Sequence, residues 1–415
     1  MFSRRIFQKA APVLAALLAL GGTERAAHAE FPTLERCIQL ARARAIIVAE
    51  AEAEVGVARG QMAGARQSIF GNPYVDLQID KGINTNQSLQ VLGYAYFPVD
   101  LTGQRGARID EAEKLIKWRE LGVDGARGQA TGEAVAVYGE MVLGQARVNA
   151  AVAGEQGARD EAKYFQGRLA AKDTTIYETS LAEAEVARWV QSHAEATLRL
   201  ASARARFAQL IGTVEIDAPP ENANPSPPAL RAPWDDAYIA KLVDRAPIIT
   251  RLNAEKHYWE ASVDRYKAER IPPVAFELIG GQGASGEARL GGGVVLTFPV
   301  ARRYQGEISR AEHGREHVIA HLALYRNILE SRMRSARDAY NAVDKAVKEL
   351  DANGMPALER AVSASNEAFK LGKIELTRVL LARRDLALAR ARRLDLIEAS
   401  WRAYADLTII SGDLP

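Results

Sequence analysis

The stretch YAYFPVDLTGQRGARIDEAE, residues 94–113, has a counterpart in VVLTFPVARRYQGEISRAEH, residues 294–313. In both stretches an apolar run ends at Phe-Pro-Val, and a long polar sequence with helical spacing follows. Proline cannot donate a backbone hydrogen bond to a neighbouring strand, so it marks a place where a strand stops. The chain is therefore predicted to build one strand-to-helix junction twice, at Phe97 and again at Phe298.

Further matches between the two halves keep the same spacing of 200 or 201 positions. They pair Ile38 with Ile239, Ala45 with Ala246, Asn72-Pro73 with Pro272-Pro273, Ala171-Lys172 with Gly372-Lys373, and Gly212 with Gly412. Matches in one order at one spacing indicate an internal duplication. We predict a first helix-hairpin-helix repeat over residues 30–212 and a second over 234–415. The proline-rich residues 213–233 are predicted to form an extended connector on the outside.

Residues 1–29 have the pattern of a secretory signal peptide. Arg4, Arg5 and Lys9 are followed by an apolar run, and the small residues of AHA suit cleavage before Glu30. An N-terminal membrane anchor is the alternative, but the apolar run is short for a helix that must cross ~30 Å. After it the sequence has no run of ~18 apolar residues, so no transmembrane helix is expected. An exported chain of this kind is periplasmic, secreted or an outer-membrane barrel.

The composition argues against several classes of function. The 415 residues include 54 basic and 52 acidic side chains, a formal net charge of +2, whereas a nucleic-acid footprint needs a strongly basic face. The single cysteine, Cys37, cannot form a disulfide within one chain. The sequence contains no Gly-x-Ser-x-Gly, P-loop, His-Glu-x-x-His or Cys-x-x-Cys motif, so neither an enzyme nor a cofactor is predicted.

Each repeat is predicted to begin with an alanine-rich helical stretch, over residues 34–68 and 235–270, and to continue with two strands. In PYVDLQID, residues 73–80, apolar and polar side chains alternate with the period of a strand. SLQVLGYAYF follows it, and VAFELIG and ARLGGGVVLTF are the counterparts in the second repeat.

Strands of about eight to eleven residues suit a tilted membrane crossing, but four strands cannot close a barrel and lipid tolerates no open edge. Three chains would supply twelve strands, an allowed number; a soluble hairpin packed on helices is the alternative.

After each Phe-Pro-Val the helical pattern runs over about 65 residues, 106–170 and 306–371, or ~95 Å at 1.5 Å per residue. AKDTTI and GKIELT then form tight tips, and second helices return toward Gly212 and Gly412. Helices of this length belong to coiled coils or tubes rather than to compact domains. An ordinary helical bundle is the alternative.

These stretches together make the chain resemble the TolC-type outer-membrane efflux proteins. The resemblance is carried by the two Phe-Pro-Val junctions, the tip segments AAKDTTIYETSLAEAE and LGKIELTRVLLARRDLALARA, and the closing LIG and ISG. In length and layout the chain is similar to the outer-membrane subunits of cobalt–zinc–cadmium efflux systems.

The resemblance implies a mainly α fold with a β membrane part. A homotrimer would form a 12-stranded β-barrel in outer-membrane lipid, continued by a periplasmic α-helical barrel of coiled-coil helices. The resemblance also implies a periplasmic adaptor (membrane fusion) protein that grips the helix tips, and an inner-membrane RND-type pump that supplies the energy. The channel itself would conduct its substrate passively, with heavy-metal cations as a candidate. A periplasmic coiled-coil scaffold or adaptor without a channel is the competing hypothesis.

The resemblance assigns adaptor docking and gating to the tips. The candidate residues are Lys172, Asp173, Thr174 and Tyr177 at the first tip and Gly372, Lys373, Glu375 and Arg378 at the second. Many family members carry aspartates six and nine residues after the second-tip glycine, where this chain has Arg378 and Leu381. The position matched to Arg378 in the first repeat is Tyr177. We hypothesise that these two side chains line or brace a closed entrance; simple turn chemistry and a solvated arginine are the alternatives.

Three of the six histidines, His313, His317 and His321, follow one another at intervals of four residues. This spacing places them along one stripe of a helix, where imidazoles one turn apart can bind zinc, copper or nickel. A stripe that holds metal ions transiently is one hypothesis. Ordinary polar residues on a solvated helix face are the other.

Overall fold

A computed structural model describes the chain over residues 31–83, 88–100, 102–214, 216–231, 234–271, 274–297 and 303–415. The predicted signal peptide at 1–29, the breaker Pro272-Pro273 and the second junction at Phe298 lie outside these residues. Helices make up most of the structure, and a few antiparallel strands form one sheet. No helix within the described ranges combines the length and the apolar character needed to cross a membrane.

The first half consists of two short helices, two strands and two long helices. They are α1 (Leu34–Arg44), α2 (Ile46–Ala65), β1 (Tyr74–Asp80), β2 (Gln90–Val99), α3 (Gln104–Ala170) and α4 (Ile176–Ile211). The second half repeats this order with α5 (Asp236–Arg245), α6 (Pro247–Glu269), β3 (Val274–Gln282), β4 (Ala288–Leu296), α7 (Gln305–Glu349), α8 (Met355–Lys370) and α9 (Leu376–Ser411). The strands lie where the sequence patterns predicted them.

The opening helical stretch of each half is broken once, where the sequence predicted one continuous helix. Ala45 separates α1 from α2 at φ −60° and ψ 135°, and Ala246 separates α5 from α6 at φ −57° and ψ 137°. Pro247 explains the second break, because the residue before a proline is pushed out of the helical region. The first break is followed by Ile46, so no proline enforces it, but Ala45 is 1% exposed and belongs to the main core. We therefore attribute the bend at Ala45 to tertiary packing rather than to the local sequence.

The long helices form rods. α3 has 67 residues and is ~100 Å long at 1.5 Å per residue. The corresponding rod of the second half, predicted as one helix over 306–371, is interrupted by a π-helical turn at Leu350–Gly354. Pro356 follows this turn; a proline has no N–H for the helical ladder, and its ring collides with the carbonyl four residues back. The wider turn accommodates the proline without ending the rod.

The sheet joins the two halves of the chain. Its strands pair in the order β1-β2-β3-β4, each antiparallel to its neighbour. β2 pairs with β3 from Val91↔Gln282 to Val99↔Val274, so the halves meet at the middle of the sheet. β1 and β4 each have one neighbour among the described residues and form the two edges.

The main hydrophobic core lies between α1, α3, α4 and α9. Its fully buried members include Met141, Phe207 and Tyr404, and Trp401 beside them is 2% exposed. A Cβ atom at Gly139 of α3 would lie 2.6 Å from the Trp401 ring. The glycine therefore permits a close approach of α3 and α9, the rods of the two halves.

The residues between the halves, described at 216–231, run along this core. Trp401 Nε1 donates to the carbonyl of Pro225 at 2.7 Å, and the Tyr340 hydroxyl donates to the carbonyl of Pro228 at 2.9 Å. Side chains of the helices thus satisfy carbonyl groups of a segment that has no regular secondary structure of its own.

Candidate functional site

The junction after β2 is built around Asp100, the residue that follows Phe-Pro-Val. Its Oδ1 accepts hydrogen bonds from the backbone N–H groups of Thr102 and Gln104 at 3.2 and 3.3 Å, and Oδ2 accepts one from Arg105 at 2.6 Å. The carboxylate satisfies N–H groups at the start of α3, where the helix dipole also favours a negative charge. Its side chain is only 8% exposed. The sheet therefore passes into the rod through a capped helix start.

Two further side chains tie this junction to the segments beside it. Arg105 Nε donates to the carbonyl of Gln67 at 2.9 Å, and the Gln104 side chain donates to the carbonyl of Ile271. Because Ile271 follows the opening helices of the second half, this bond links the start of α3 to the other half of the chain. The level at which sheet meets helices is thus held by a network of hydrogen bonds.

Next to this junction, α3 and α6 share an ion pair. Arg265 Nη1 lies 2.6 Å from Glu111 Oε2, and Arg265 Nε lies 3.0 Å from Glu269 Oε1. The Ser262 hydroxyl donates to the other oxygen of Glu111. Burial acts to lower the pKa of the Arg265 guanidinium, but its hydrogen bonds and attraction to the two carboxylates outweigh burial and raise the pKa. Glu111 and Arg265 line a cavity of about 390 Å³ between α2, α3 and α6.

The strand register divides the sheet into an apolar face and a polar face. Side chains alternate between the faces along each strand, and paired residues share a face. The apolar face carries Val75, Leu77, Ile79, Phe97, Phe276, Leu278, Leu290, Val294 and Leu296. Their exposed fractions range from 39% for Phe97 to 93% for Leu290. A contiguous exposed apolar surface of this kind marks contact with lipid or with another apolar surface.

The opposite face of the sheet carries tyrosines and carboxylates. Tyr74 stacks on Tyr96 with ring centroids 4.6 Å apart, and the Tyr94 ring lies 6.3 Å from Tyr96. In the strand register Asp76 is paired with Tyr94, and Glu277 is paired with Tyr96. The sheet thus has the two-sided character of membrane strands, with one face suited to lipid and the other to water.

The first tip closes with a left-handed residue, Lys172, at φ 60°. The Lys172 N–H donates to the Leu169 carbonyl at 2.9 Å, and the Asp173 N–H donates to the Arg168 carbonyl at 2.8 Å. This is the Schellman arrangement that ends many helices. Arg168 Nε also lies 2.9 Å from Asp173 Oδ2, so the predicted tip residue Asp173 is bound within its own turn.

Helix α4 then begins with a capping box. The Thr175 hydroxyl accepts from the Glu178 N–H at 3.2 Å, and the Glu178 carboxylate accepts from the Thr175 N–H at 3.4 Å. The Thr174 hydroxyl donates to the same carboxylate, and this bond is the main cause that lowers the pKa of Glu178. Thr174 is therefore part of the local cap of the helix.

The second tip makes the same hydrogen bonds with different side chains. Gly372, at φ 69°, donates to the Phe369 carbonyl at 2.9 Å, and Lys373 donates to the Ala368 carbonyl at 2.9 Å. Gly372 therefore occupies the position of Lys172. The sequence match of Ala171-Lys172 with Gly372-Lys373 is therefore wrong by one residue. The match aligned the lysines of the two segments, whereas the structure aligns their left-handed residues, Lys172 and Gly372.

In this register the residue of the first tip that is equivalent to Arg378 is a different one. α4 and α9 start at Ile176 and Leu376, so Arg378 corresponds to Glu178 and not to Tyr177. Tyr177 is 68% exposed, and Arg378 is exposed as well. Within the described ranges no hydrogen bond or ion pair joins these two side chains in one chain. The two tips thus present opposite charges at equivalent positions.

The exposed tip residues lie at the surface of the chain. Lys172 and Lys373 are exposed, and so is Glu375, which precedes α9 without a side-chain capping bond. These side chains are available to a partner, whereas Thr174 and Asp173 are engaged in their own turn.

Apolar contacts and an ion pair connect the two tips. Phe165 of α3 and Leu376 of α9 are each 1% exposed and belong to one cluster. Beside it Arg383 Nη1 lies 2.6 Å from Glu161 Oε2, and Arg383 Nη2 donates to Asn366 at 2.8 Å. Burial raises the pKa of Glu161, although Arg383 acts to lower it. The first and second halves are therefore joined at the tips as well as at the sheet.

The histidine stripe divides into a pair and a separate residue. His317 and His321 lie with ring centroids 4.0 Å apart. His313 instead has its Nδ1 at 3.2 Å from Glu316 Oε2. Over the described part of the chain, no group of three or more His, Cys, Asp or Glu side chains is arranged to hold a metal ion. The structure brings two of the three predicted histidines together and leaves the third apart.

Known proteins similar to this chain match it over nearly its whole length, although no protein-family model matches it. The cobalt-zinc-cadmium resistance protein CzcC of Cupriavidus metallidurans is 24% identical over 391 residues, which cover 92% of this chain and 90% of CzcC. CusC, in a structure described for transmembrane channel formation, superposes with a TM-score of 0.75 at 14% identity over 92% of each chain. The CmeC outer membrane channel of Campylobacter jejuni superposes with a TM-score of 0.73 at 14% identity, over 92% of this chain and 86% of CmeC. The chain has the TolC-type channel fold.

The TolC-type fold confirms the resemblance predicted from the sequence, as well as its mainly helical class with a small antiparallel sheet. The predicted outer-membrane location agrees with CmeC, which is described as an outer membrane channel. None of these three relatives is described as an enzyme, in agreement with the sequence prediction.

Two features of the structure are absent from the sequence-based candidates. Asp100 has a recognisable signal, because an acidic residue just before a predicted helix start is typical of a cap. The Arg383–Glu161 pair has no local signal, because its members lie 222 residues apart.

Proposed function

We propose that the chain is the outer-membrane channel subunit of a tripartite efflux system. The observation that carries the proposal is the two-sided sheet with edges at β1 and β4. Its apolar face suits lipid and its polar face suits a water-filled lumen, but an open edge is not tolerated in lipid. Three copies, with β4 of one paired with β1 of the next, would supply twelve strands and leave no edge. The long helices would continue this barrel as a tube in the periplasm.

The proposal includes the duplicated layout of the chain. A signal peptide over 1–29 would be removed, and repeats over 30–212 and 234–415 would be linked by the connector at 213–233. Equivalent left-handed residues support the duplication. Lys172 and Gly372 follow α3 and α8 at the tips, and Gly212 and Gly412 follow the returning helices α4 and α9.

A periplasmic adaptor protein and an inner-membrane RND-type pump complete the proposed system. The adaptor would dock on the exposed residues of the tips, and the pump would supply the energy for passive conduction through the channel. Heavy-metal cations are the proposed substrate, supported by the description of CzcC as a cobalt-zinc-cadmium resistance protein.

The assembly of the purified protein tests the channel proposal. Light scattering in detergent is expected to give three chains per particle, and planar bilayers are expected to show conductance. Leu278→Lys on the apolar face should block insertion, because a lysine that faces lipid costs about 2–4 kcal/mol at the bilayer midplane. Glu277→Lys, one residue away on the polar face, is the matched control and should still insert. A water-soluble monomer that needs no detergent would overturn the proposal and support the periplasmic scaffold.

The proposal extends to the entrance, where Arg378 and Tyr177 would line or brace the closed tube. Support comes from their exposed positions at the two tips. Arg378→Asp is expected to change the conductance of the closed channel, because it reverses a charge at the entrance. Arg384→Asp makes the same charge reversal at another exposed site on α9 and serves as the control. A closed state that is the same in wild type and Arg378→Asp would contradict this role.

A further inference from the structure

We infer that His317 and His321 together form a binding site on α7 for a divalent cation that prefers nitrogen ligands, such as Cu²⁺, Ni²⁺ or Zn²⁺. Imidazole is the ligand that suits these ions in proteins. The two residues are four positions apart on one helix, where side chains are neighbours on the surface. Their rings lie with centroids 4.0 Å apart and planes inclined at 43°.

The spacing of the rings matches the requirement of a single ion. Zinc binds imidazole nitrogens at about 2.0–2.1 Å, so two nitrogens on one tetrahedral ion are about 3 Å to 3.5 Å apart. Rings whose centres are 4.0 Å apart can present nitrogens at that separation. No change of the helix is needed to bring the ligands together, since both are held by the same regular α-helix.

Tyr325 supports one of the two ligands from the next turn. Its ring centroid lies 5.9 Å from that of His321. Tyr325 itself packs, together with Leu322, against the core cluster formed by α5, α6, α7 and α9. The position of the tyrosine ring is therefore set by the core, and it limits the directions in which His321 can turn.

The rest of the stripe shows why the site has two protein ligands. His313 has the same four-residue spacing to His317, but its Nδ1 faces Glu316 at 3.2 Å. Structural zinc sites are closed by four protein ligands, whereas a site with fewer ligands keeps positions open to water or to an incoming group. A pair of imidazoles therefore provides a site from which the ion can exchange, in contrast to a permanent structural site.

The position of the pair separates it from the tips. His317 lies 12 residues after Gln305, the first residue of α7, which is ~18 Å along the helix. The pair is thus in the part of the rod that is next to the sheet. The inference goes beyond the proposed channel function and does not depend on it, because metal binding can be measured on the purified chain without any transport.

A titration of the full chain, purified without a histidine tag, tests the site. Cu²⁺ is added during isothermal calorimetry, and electron paramagnetic resonance at one ion per chain reports the coordinating nitrogens. We expect one ion per chain with two imidazole nitrogens bound. Loss of a residue that merely supports a ligand weakens metal binding about 10- to 100-fold, so loss of a ligand in His317→Ala or His321→Ala should weaken it by at least about 10-fold.

His313→Ala is the matched control, because it removes an imidazole from the same helix stripe. It should leave both the affinity and the nitrogen signal unchanged. Circular dichroism melts of the three single variants and of the His317→Ala/His321→Ala double variant check that each one folds. The site is overturned if binding survives in the His317→Ala/His321→Ala double variant, or if His313→Ala weakens binding as much as His317→Ala. Failure of the channel proposal would be seen in the oligomeric state and would leave these binding results unaffected.

Discussion

Gly139 lies in α3 directly against Trp401 of α9, and its replacement by alanine tests how the rods of the two halves approach each other. A Cβ atom at Gly139 would lie 2.6 Å from both Cγ and Cδ2 of Trp401 and 3.0 Å from its Cβ. Trp401 is 2% exposed, and its Nε1 donates to the Pro225 carbonyl at 2.7 Å. The indole therefore cannot move away without losing core contacts and this hydrogen bond.

Two opposing effects determine the free energy of unfolding of Gly139→Ala. Alanine is favoured over glycine inside a helix by about 0.8–1.0 kcal/mol. Inserting extra atoms into a well-packed core costs about 1–3 kcal/mol. Gly157 separates the two effects, because it lies in the same helix and a Cβ there meets nothing within 4 Å. The gain in helix propensity from glycine to alanine is common to both variants. Gly139→Ala should therefore be less stable than Gly157→Ala by the cost of the extra atoms in the core, about 1–3 kcal/mol.

Thermal unfolding of the purified protein, followed by circular dichroism at one fixed scan rate, measures this difference. Gly157→Ala is expected to melt at or above the wild-type temperature, and Gly139→Ala below that of Gly157→Ala. Trp401→Phe should be tolerated better in the Gly139→Ala background than in wild type, because residues in contact do not act independently. If Gly139→Ala melts as high as Gly157→Ala, the close approach of the two rods at this point is refuted.

Three other predictions concern different parts of the chain. A Cβ atom at Gly281 would lie 2.0 Å from a carbonyl oxygen of β2, so Gly281→Ala should abolish assembly in detergent. A Cβ atom at Gly280 would meet nothing within 4 Å, so the control Gly280→Ala should assemble as wild type does. Burial raises the pKa of the Cys37 thiol from 9.0 to about 12. The thiol therefore ionises first in the unfolded chain, and stability should fall as pH rises between those two values. When denaturation at pH 8 is compared with denaturation at pH 11, this fall should be smaller in Cys37→Ala. Arg265→Met removes the cation paired with the largely buried Glu111, which should lower stability by up to about 3–5 kcal/mol in chemical denaturation. Restoring stability by adding Glu111→Gln would identify the unpaired carboxylate as the cause.

The local patterns in the sequence predicted most of the secondary structure. Alternation of apolar and polar residues located β1, the correspondence between the repeats located β3 and β4, and Pro98 marked the end of β2 within one residue. In β1, alternation also separated the residues of the two sheet faces. It could not show which strands pair, because the β2–β3 contact joins residues almost two hundred positions apart and depends on the whole chain.

The features that the sequence did not predict have causes outside the local pattern. The residues before Ala45 are good helix formers, and the β-branched Ile46, Ile47 and Val48 after it are helical all the same, so the bend at Ala45 depends on core packing. Pro356 was a visible signal for a disturbance, but a proline can end, kink or widen a helix, and only the structure selects the π-helical turn. At the tips the repeated lysine suggested a match that the backbone conformation of Lys172 and Gly372 corrects.

The candidate site was predicted less completely than the fold. The spacing of the histidines placed three on a stripe, but spacing alone does not show that His313 is held by Glu316 while His317 and His321 meet. The pairing of Arg383 with Glu161 depends on how two distant rods align at their ends.

The pairing of β2 with β3 has a consequence for symmetry. It places the second strand of one half against the first strand of the other, and a ring closed through β4 and β1 would repeat that arrangement between chains. Six half-chains would then be related by an approximate sixfold axis, as if each half had once been a separate polypeptide. Fusing two half-chains in one gene lets alternate positions around the ring diverge. Glu178 and Arg378 can then alternate around it, with three tips that carry the glutamate and three that carry the arginine.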